Sequence, residues 1–253
     1  MSLKNSFKNI SNKINNKILD LFYPTDIKCI FCGNELLIKN RYCTCGKCFA
    51  KLPYLEKLQV CEFCGTPIDD IAPICGFCFE NKPAFLKARA SFEYNEKIKY
   101  IVNRFKYNDE KFLAKPLAEF MADEYFRNNF ECDFILYTPL TLEKFQKRGY
   151  NQSELLANSL SQILDLPVKQ NVHKIKNTLT QTNLNREERK INLEKAFKIL
   201  KKKELRDKNI LLVDDVFTTG ATVQEISKLL LNSGAKAIYV LTLAHTYFYK
   251  YKD

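Results

Sequence analysis

The sequence predicts an α/β protein with a mostly parallel sheet, preceded by a small domain that binds zinc through four-cysteine sites. Two observations lead to this prediction. Strand-like apolar runs alternate with helix-like segments from residue 87 onward, and nine of the ten cysteines lie between Cys29 and Cys78. With 253 residues the chain is long enough for an ordinary core, and helices are expected on both faces of the sheet.

The predicted elements follow in a regular order after the cysteines. Apolar residues at steps of three or four define the helices, and short apolar runs define the strands. In chain order they are strand 87–94, helix 96–107, helix 114–126, strand 133–137, helix 152–164, strand 168–172, a strand near Phe197, strand 210–213, helix 222–232 and strand 237–243.

The chain is therefore divided into residues 1–24, 25–84 and 85–253: an amphipathic helix, a zinc-finger domain and an α/β domain. In the first segment apolar residues recur at helical spacing, and lysines occupy the other faces. This helix either packs on the core of the protein or presents a basic face to membrane or nucleic acid.

Composition narrows the class of protein. A formal net charge of +11 with 46% hydrophobic residues favours a folded basic protein over a disordered one. The sequence contains no apolar run of about 18 residues and no secretory signal at its N-terminus. We therefore expect a cytoplasmic protein, either free or peripheral at the inner face of the membrane.

The cysteines form four C-x-x-C pairs, which in a reducing compartment favour metal sites over disulfides. Each set of four thiolates can close a tetrahedral zinc site of a structural kind. A glycine follows one cysteine of every pair, where the lack of a Cβ allows it to take positive φ and lets backbone amides face the sulfurs. The predicted ligands are Cys29, Cys32, Cys45, Cys48, Cys61, Cys64, Cys75 and Cys78.

Two zinc arrangements are compatible with this spacing. The ions are bound either in sequence order or in an interleaved manner, in which the first and third pairs share an ion. Cys43 is a spare or a substitute ligand, because the pair of Cys45 and Cys48 matches the other three in register. In either arrangement such a small module is expected to unfold without metal.

The most informative stretch runs from residue 210 to residue 222. An apolar strand ends in Asp214 and Asp215, and a hydroxyl-rich turn with Gly220 then opens a helix. Amides at a helix N-terminus, together with threonine hydroxyls, suit a phosphate. The two carboxylates can accept hydrogen bonds from a vicinal diol or hold Mg²⁺.

Two other interpretations of this stretch fit less well. Apolar residues before two aspartates also suit a Walker B strand, but that interpretation needs a G-x-x-x-x-G-K-[ST] loop, which the sequence lacks. A purely structural strand-turn-helix leaves the hydroxyl-rich turn unexplained.

These residues resemble the 5-phosphoribosyl-1-pyrophosphate (PRPP) motif of the type I phosphoribosyltransferases, which have a Rossmann-like domain. The wider chain resembles the ComF family of competence-associated phosphoribosyltransferase-like proteins. The supporting matches are the C-x-x-C pairs, the stretch 105–107, the block 148–152 with 155–157, and the polar run 178–192.

The resemblance implies a role for each matching residue. Asp214 and Asp215 form the catalytic pair and hold the ribose hydroxyls. The 5-phosphate is implied to contact Thr218, Thr219, Gly220, Ala221 and Thr222. The pyrophosphate is implied to contact Thr138, Arg148 and Lys106, and the polar segment with Gln181, Arg186 and Arg189 is similar to the mobile loop that closes over substrate.

The implied chemistry is displacement of pyrophosphate from the anomeric carbon of ribose by a nitrogen nucleophile, with Mg²⁺ and basic side chains neutralising the leaving group. Either the protein catalyses phosphoribosyl transfer from PRPP to an acceptor that the sequence does not identify, or the fold is retained for PRPP binding or regulation. The resemblance also implies partners in natural transformation: single-stranded DNA, membrane-associated DNA-uptake proteins and helicase-like competence proteins.

Aromatic residues between the cysteines offer a surface for single-stranded DNA, together with the basic N-terminal end. They are Phe31, Tyr42, Phe49, Phe63 and Phe77. The alternative is that these rings form the core of the small zinc module and that the lysines are merely solvated.

Overall fold

The computed structural model describes residues 27–68, 72–175 and 196–246. The helix expected in residues 1–24 lies outside these ranges. The chain separates into two compact units, Met1–Lys51 and Leu52–Asp253, so the first and second groups of four cysteines belong to different units. The domain boundary expected after residue 84 stays a prediction.

The smaller unit contains one short helix, α1 (Gly46–Phe49), within its described part. The helices of the larger unit are α2 (Gly76–Glu80), α3 (Glu96–Tyr107), α4 (Ala114–Arg127), α5 (Leu142–Arg148), α6 (Gln152–Leu164) and α7 (Ala221–Asn232). Its strands are β1 (Lys87–Glu93), β2 (Phe134–Tyr137), β3 (Val172–Lys174), β4 (Phe197–Ile199), β5 (Asn209–Phe217) and β6 (Ala237–His245). Short 3-10 turns cover Leu55–Lys57, Lys111–Leu113 and Lys202–Leu205.

The main sheet has four parallel strands in the order β1-β6-β5-β2. Alternate residues of β5 point to opposite faces, and Leu211 and Leu212 are both fully buried. One face packs with Val223 and Ile226 of α7, whereas α4 and α6 contact each other and the strands. The predicted fold class, a mostly parallel sheet with helices packed on it, is confirmed.

The helices α3 and α6 have the bounds that the sequence predicts, and both begin at a side-chain cap. Asn95 accepts hydrogen bonds from the amides of Lys97 and Ile98, and Asn151 accepts one from Ser153. An asparagine in this position satisfies amides that a helix cannot pair internally.

The strand β5 extends to Phe217, beyond the predicted end at residue 213, and two further elements differ from the prediction. The strand expected over residues 168–172 is wrong in its bounds, because the chain around Val168 makes only an isolated bridge to Ile135 at the sheet edge. The strand itself is Val172–Lys174, which pairs antiparallel with β4 in a separate two-stranded sheet. The helix α5 was not predicted, because its seven residues are too few to show a helical period.

Among the described residues, no helix combines the length and the apolar character that crossing a membrane requires.

Candidate functional site

Two carboxylates lie near the end of the strand β5. Its residues 210–213 are apolar and fully buried, and Asp214 and Asp215 follow them directly. In a parallel sheet this end lies beside the carboxyl ends of the neighbouring strands β2 and β6. Open α/β sheets bind their ligands at that edge.

Asp214 is held by three hydrogen bonds to one carboxylate oxygen. The hydroxyls of Thr138 and Ser153 donate to Oδ1 at 2.6 and 2.9 Å, and the backbone N–H of Asp215 donates to it at 2.9 Å. Burial raises the pKa of Asp214 to about 6, the neighbouring Asp215 charge adds to the rise, and these donors oppose it. The carboxyl group therefore changes charge near pH 6.

Asp215 pairs with a lysine from the last turn of α3. Lys106 Nζ lies 2.7 Å from Asp215 Oδ2. Burial by itself lowers the pKa of Lys106, but the Asp215 carboxylate more than offsets this, so the pKa lies above its ordinary value. Lys106 is therefore charged and neutralises one of the two carboxylates.

The turn after β5 presents a helix N-terminus to the same cleft. Gly220 has φ +73, and α7 begins at the next residue. The first hydrogen bond of the helix joins the Gln224 amide to the Gly220 carbonyl at 2.8 Å, so the preceding amides lie at the positive end of the helix dipole. Thr218, Ala221 and Thr222 line the cleft, and this arrangement suits a phosphate.

Four cationic side chains line this cleft: Lys106, Lys144, Arg148 and Lys174. Among the described residues they outnumber the two carboxylates, so the cleft, about 200 Å³ in volume, favours an anion with several charges. Burial lowers the pKa of Lys174 to about 8, and Lys144 adds to this. Burial also lowers the pKa of Lys144, with Arg148 and Lys106 contributing. A bound anion would relieve the repulsion among these cations.

Arg148 is positioned by the ring of Tyr107. Its guanidinium lies 4.9 Å from the ring centroid, and its Nη2 donates to the Tyr107 hydroxyl at 3.1 Å. Stacking of this kind stabilises an arginine in one orientation. Since Arg148 also lines the cleft, its charge is held next to the lysines.

Most of the residues predicted for PRPP lie together. The structure places around one cleft Asp214, Asp215, Thr218, Gly220, Ala221, Thr222, Thr138, Arg148 and Lys106. Thr219, predicted with them, is not among the residues that line it. Gln181, Arg186 and Arg189 lie outside the described residues.

Several lining residues were missed by the sequence prediction. Gln152 is 1% exposed, and its Nε2 has no hydrogen-bond partner among the described residues, as expected of a group that meets a ligand. Its signal was present, since it ends the block 148–152. Ser153 directly follows that block and Lys144 lies shortly before it, so the block could have pointed to both residues. Lys174 lies in a three-residue strand that carries no motif.

The eight predicted zinc ligands form two groups in sequence order. Within each group the Sγ atoms all lie within 4.8 Å of one another. The Cys32 and Cys45 sulfurs are 3.8 Å apart, and those of Cys64 and Cys75 are 3.7 Å apart. A tetrahedron with Zn–S bonds of about 2.3 Å has edges of about 3.8 Å, so both groups fit a structural zinc ion.

The glycines beside the cysteines have two different conformations. Gly33 and Gly65 have φ +75 and +72, whereas Gly46 and Gly76 begin α1 and α2 and do not have positive φ. Positive φ is therefore used beside the first pair of each group, whereas a helix starts beside the second pair. Cys43 is not part of either group.

The cysteine-containing part of the chain and the part that carries the cleft both match families of known proteins. Residues 18–79 match the double zinc ribbon domain family, and residues 151–250 match the phosphoribosyl transferase domain family. Competence protein F of Haemophilus influenzae is 34% identical over 228 residues, 87% of this chain and 97% of that protein. Competence protein ComFC of Streptococcus pneumoniae is 29% identical over 230 residues, 86% of this chain and 99% of that protein. The DNA utilization protein YhgH of Salmonella typhi is 29% identical over 197 residues, 76% of this chain and 86% of that protein.

Proposed function

The chain belongs to the competence protein F family, with a double zinc ribbon and a phosphoribosyl transferase domain, and on this premise we propose that its cleft binds PRPP with Mg²⁺. One observation carries the proposal. An aspartate pair, a helix N-terminus and four cationic side chains line the same cleft. Ribose hydroxyls, a 5-phosphate and a pyrophosphate are the groups that these three features recognise.

Each part of PRPP is assigned to one feature of the cleft. The ribose hydroxyls donate to Asp214 and Asp215, and the 5-phosphate binds the turn 218–222. The pyrophosphate lies among the cations, with Lys144 and Lys174 added to those that the sequence suggested. The unpaired Nε2 of Gln152 donates to a ligand oxygen.

Asp214 and Asp215 are better suited to binding Mg²⁺ that is complexed with PRPP than to binding a free Mg²⁺ ion. Their oxygens are the hard ligands that Mg²⁺ prefers. However, Lys106 already neutralises Asp215, so PRPP's own oxygens would supply most of the ligands. When bound, Mg²⁺ would spread the charge of the pyrophosphate.

The same site can support transfer of the phosphoribosyl group to a nitrogen nucleophile. In that reaction the C1–O bond to pyrophosphate breaks, the new C1–N bond forms, the proton of the attacking nitrogen passes to water, and the lysines stabilise the negative charge of the released pyrophosphate. Pyrophosphate release in the presence of nitrogen acceptors distinguishes an enzyme from a protein that only binds PRPP.

The affinity for PRPP is expected to be highest between about pH 6 and pH 8. Below about 6 Asp214 is protonated and accepts ribose hydroxyls less well, and above about 8 Lys174 loses the charge that attracts phosphate. Isothermal titration with PRPP and Mg²⁺ from pH 5 to pH 9 measures this dependence.

A matched pair of lysine variants tests the assignment. Lys174→Met is expected to lower the affinity about tenfold, equivalent to about 1.4 kcal/mol, and to flatten the decline above pH 8. Lys169→Met is the control, because Lys169 pairs with Glu204 and does not line the cleft. Absence of PRPP binding by the unaltered protein at pH 7 would refute the proposed function.

We also propose that the smaller unit contacts single-stranded DNA. In its described part the basic residues outnumber the acidic ones: Lys28, Lys39, Arg41, Lys47 and Lys51 against Glu35. The Arg41 guanidinium lies 4.7 Å from the Tyr42 ring centroid, and the Tyr42 and Phe49 rings are 5.2 Å apart. Cations beside aromatic rings suit a strand of phosphates and bases. Phe63, also suggested by the sequence, packs against the core of the larger unit instead.

Phe49→Ala is expected to weaken binding of a labelled single-stranded oligonucleotide at least fivefold at about 50 mM salt, because stacking contributes about 1–3 kcal/mol per base. Fluorescence anisotropy measures the affinity. Phe79→Ala is the control, since Phe79 is 82% exposed in the larger unit. Equal losses in the two variants would contradict the placement on the smaller unit.

A further inference from the structure

The second zinc ribbon (residues 61–78) shares a core with the phosphate-binding end of the sheet. Cys61, Cys64 and Cys78 belong to one buried cluster with Phe85 and Phe217. The amide of Ala88 in β1 also donates to the Phe63 carbonyl at 2.6 Å. Ribbon and sheet are therefore packed together within the larger unit.

The turn between the first two cysteines of this ribbon fixes Thr66. The Cys61 amide donates to the Thr66 carbonyl at 2.8 Å, and the Gly65 amide donates to the Cys61 carbonyl at 3.0 Å. Gly65 is buried against β1, where a Cβ would lie 2.7 Å from the Ala88 oxygen. The Thr66 side chain is thus held by the geometry of the metal-binding turn.

Thr66 contacts the last residue of β6. Its Oγ1 lies 3.3 Å from Nε2 of His245, a residue that is 3% exposed. The His245 ring stacks on the ring of Phe217, with centroids 4.6 Å apart and planes at 19°. Phe217 and His245 also pair directly in the register of β5 and β6. We call these three residues the Thr66–His245–Phe217 stack.

The stack ends beneath the phosphate-binding turn. A Cβ on Gly220 would lie 2.5 Å from Cζ of Phe217, so the ring supports this turn directly. The Phe217 carbonyl also accepts a hydrogen bond from the Thr246 amide at 2.8 Å, which fixes the backbone at the same point. Phe85 meets the Phe217 ring edge-on at a centroid distance of 6.1 Å. Displacing the ring would move the turn 218–222.

We propose that the second cysteine group positions the phosphate-binding turn through the Thr66–His245–Phe217 stack, so that zinc at this group and ligand in the cleft stabilise each other. The proposal rests on the proposed function, because it takes PRPP as the ligand of the turn. Thr66, His245 and Phe217 act here as positioning residues. The first cysteine group lies in the other compact unit and has no part in this stack.

Thermodynamic reciprocity makes the proposal measurable. If zinc at the second group strengthens PRPP binding, PRPP must strengthen zinc binding by the same factor. We therefore expect PRPP with excess Mg²⁺ to raise the zinc affinity of the second group about fivefold or more in an equilibrium competition with a chelator. Direct chelation of zinc by PRPP has the opposite effect, because it lowers the apparent affinity.

Zinc competition is measured on the full chain and on Cys29→Ser/Cys32→Ser, which leaves only the second group complete. Thr66→Val removes the hydroxyl that meets His245 and is expected to reduce the coupling factor toward one. Thr44→Val is its control: Thr44 is a buried threonine of the first ribbon whose hydroxyl donates to the Tyr42 carbonyl. This variant is expected to leave the coupling unchanged.

Each outcome is decisive. PRPP that binds the full chain but leaves the zinc affinity of the second group unchanged overturns the proposal and leaves the proposed function standing. Coupling that persists in Thr66→Val and Phe217→Leu overturns the route through the stack. Absence of PRPP binding by the full chain overturns the proposed function, and this proposal with it.

Discussion

Replacing Asp214 with asparagine is expected to lower PRPP affinity about 10- to 100-fold while raising the thermal stability of the ligand-free protein. The loss arises because the ribose hydroxyls would then meet a neutral acceptor, and a hydrogen bond to a charged group contributes about 1.5–3 kcal/mol. The gain arises because burial and Asp215 raise the pKa of Asp214, so its ionised form destabilises the fold at pH 7. Asparagine removes that charge and keeps an oxygen for Thr138 and Ser153.

The sign of the stability change shows whether the ionised Asp214 side chain destabilises the folded protein. A carboxyl group with a raised pKa binds protons more readily in the folded state, so it lowers stability once the pH exceeds its unfolded value. The gain from asparagine should therefore grow from about pH 4 to pH 6 and then level off. Scanning calorimetry across this range, with titration of PRPP at pH 7, measures both quantities.

Asp133→Asn is the matched control. Asp133 precedes the opposite end of β2, where its carboxylate accepts from Lys208 Nζ at 2.7 Å and from the Asn209 amide at 2.8 Å. These two contacts hold the pKa of Asp133 below its ordinary value. Its replacement should lower stability slightly at pH 7 and leave PRPP affinity unchanged. A fall in stability for both variants would contradict the account of Asp214.

Gly220→Ala is expected to have the second large effect. The residue has φ +73, which costs an alanine roughly 1–2 kcal/mol. The new methyl group would also collide with the Phe217 ring, because a Cβ lies 2.5 Å from it. We expect a lower melting temperature together with a loss of PRPP affinity of at least tenfold, as the turn shifts away from the phosphate.

Comparison with Gly33→Ala separates the cost of backbone strain at Gly220 from the cost of the collision with the Phe217 ring. Gly33 has φ +75, but a Cβ there meets nothing within 4 Å, so only the backbone strain is introduced. Calorimetry and PRPP titration on both variants give the effect of the ring contact by difference. Equal destabilisation by the two substitutions, with PRPP affinity retained, would show that the Phe217 ring does not support the turn.

The parts of the fold that the sequence predicted well are those with strong local signals. The run 210–213 is apolar on both faces because it is a central strand, and the aspartates follow it without a gap. The helix α6 combines a cap at Asn151 with a regular apolar spacing. Such signals need no knowledge of the rest of the chain.

The features that were missed depend on distant contacts. Lys174 reaches the cleft only because β3 pairs with β4 beside it, and a lone lysine in the sequence gives no sign of this. The contact between Thr66 and His245 joins residues 179 positions apart. The cysteine spacing of the second zinc group likewise gives no sign that this group lies in one core with the sheet.

The strand order has a consequence for synthesis on the ribosome. Within the main sheet of the described residues, β1 pairs with β6 alone, and β6 is the last of these four strands to be made. Lys87 pairs with Tyr239, so about 150 further residues must be synthesised before β6 can cover this edge of β1. Until then the edge of β1 that later pairs with β6 lacks its partner, and an unpaired strand edge favours aggregation.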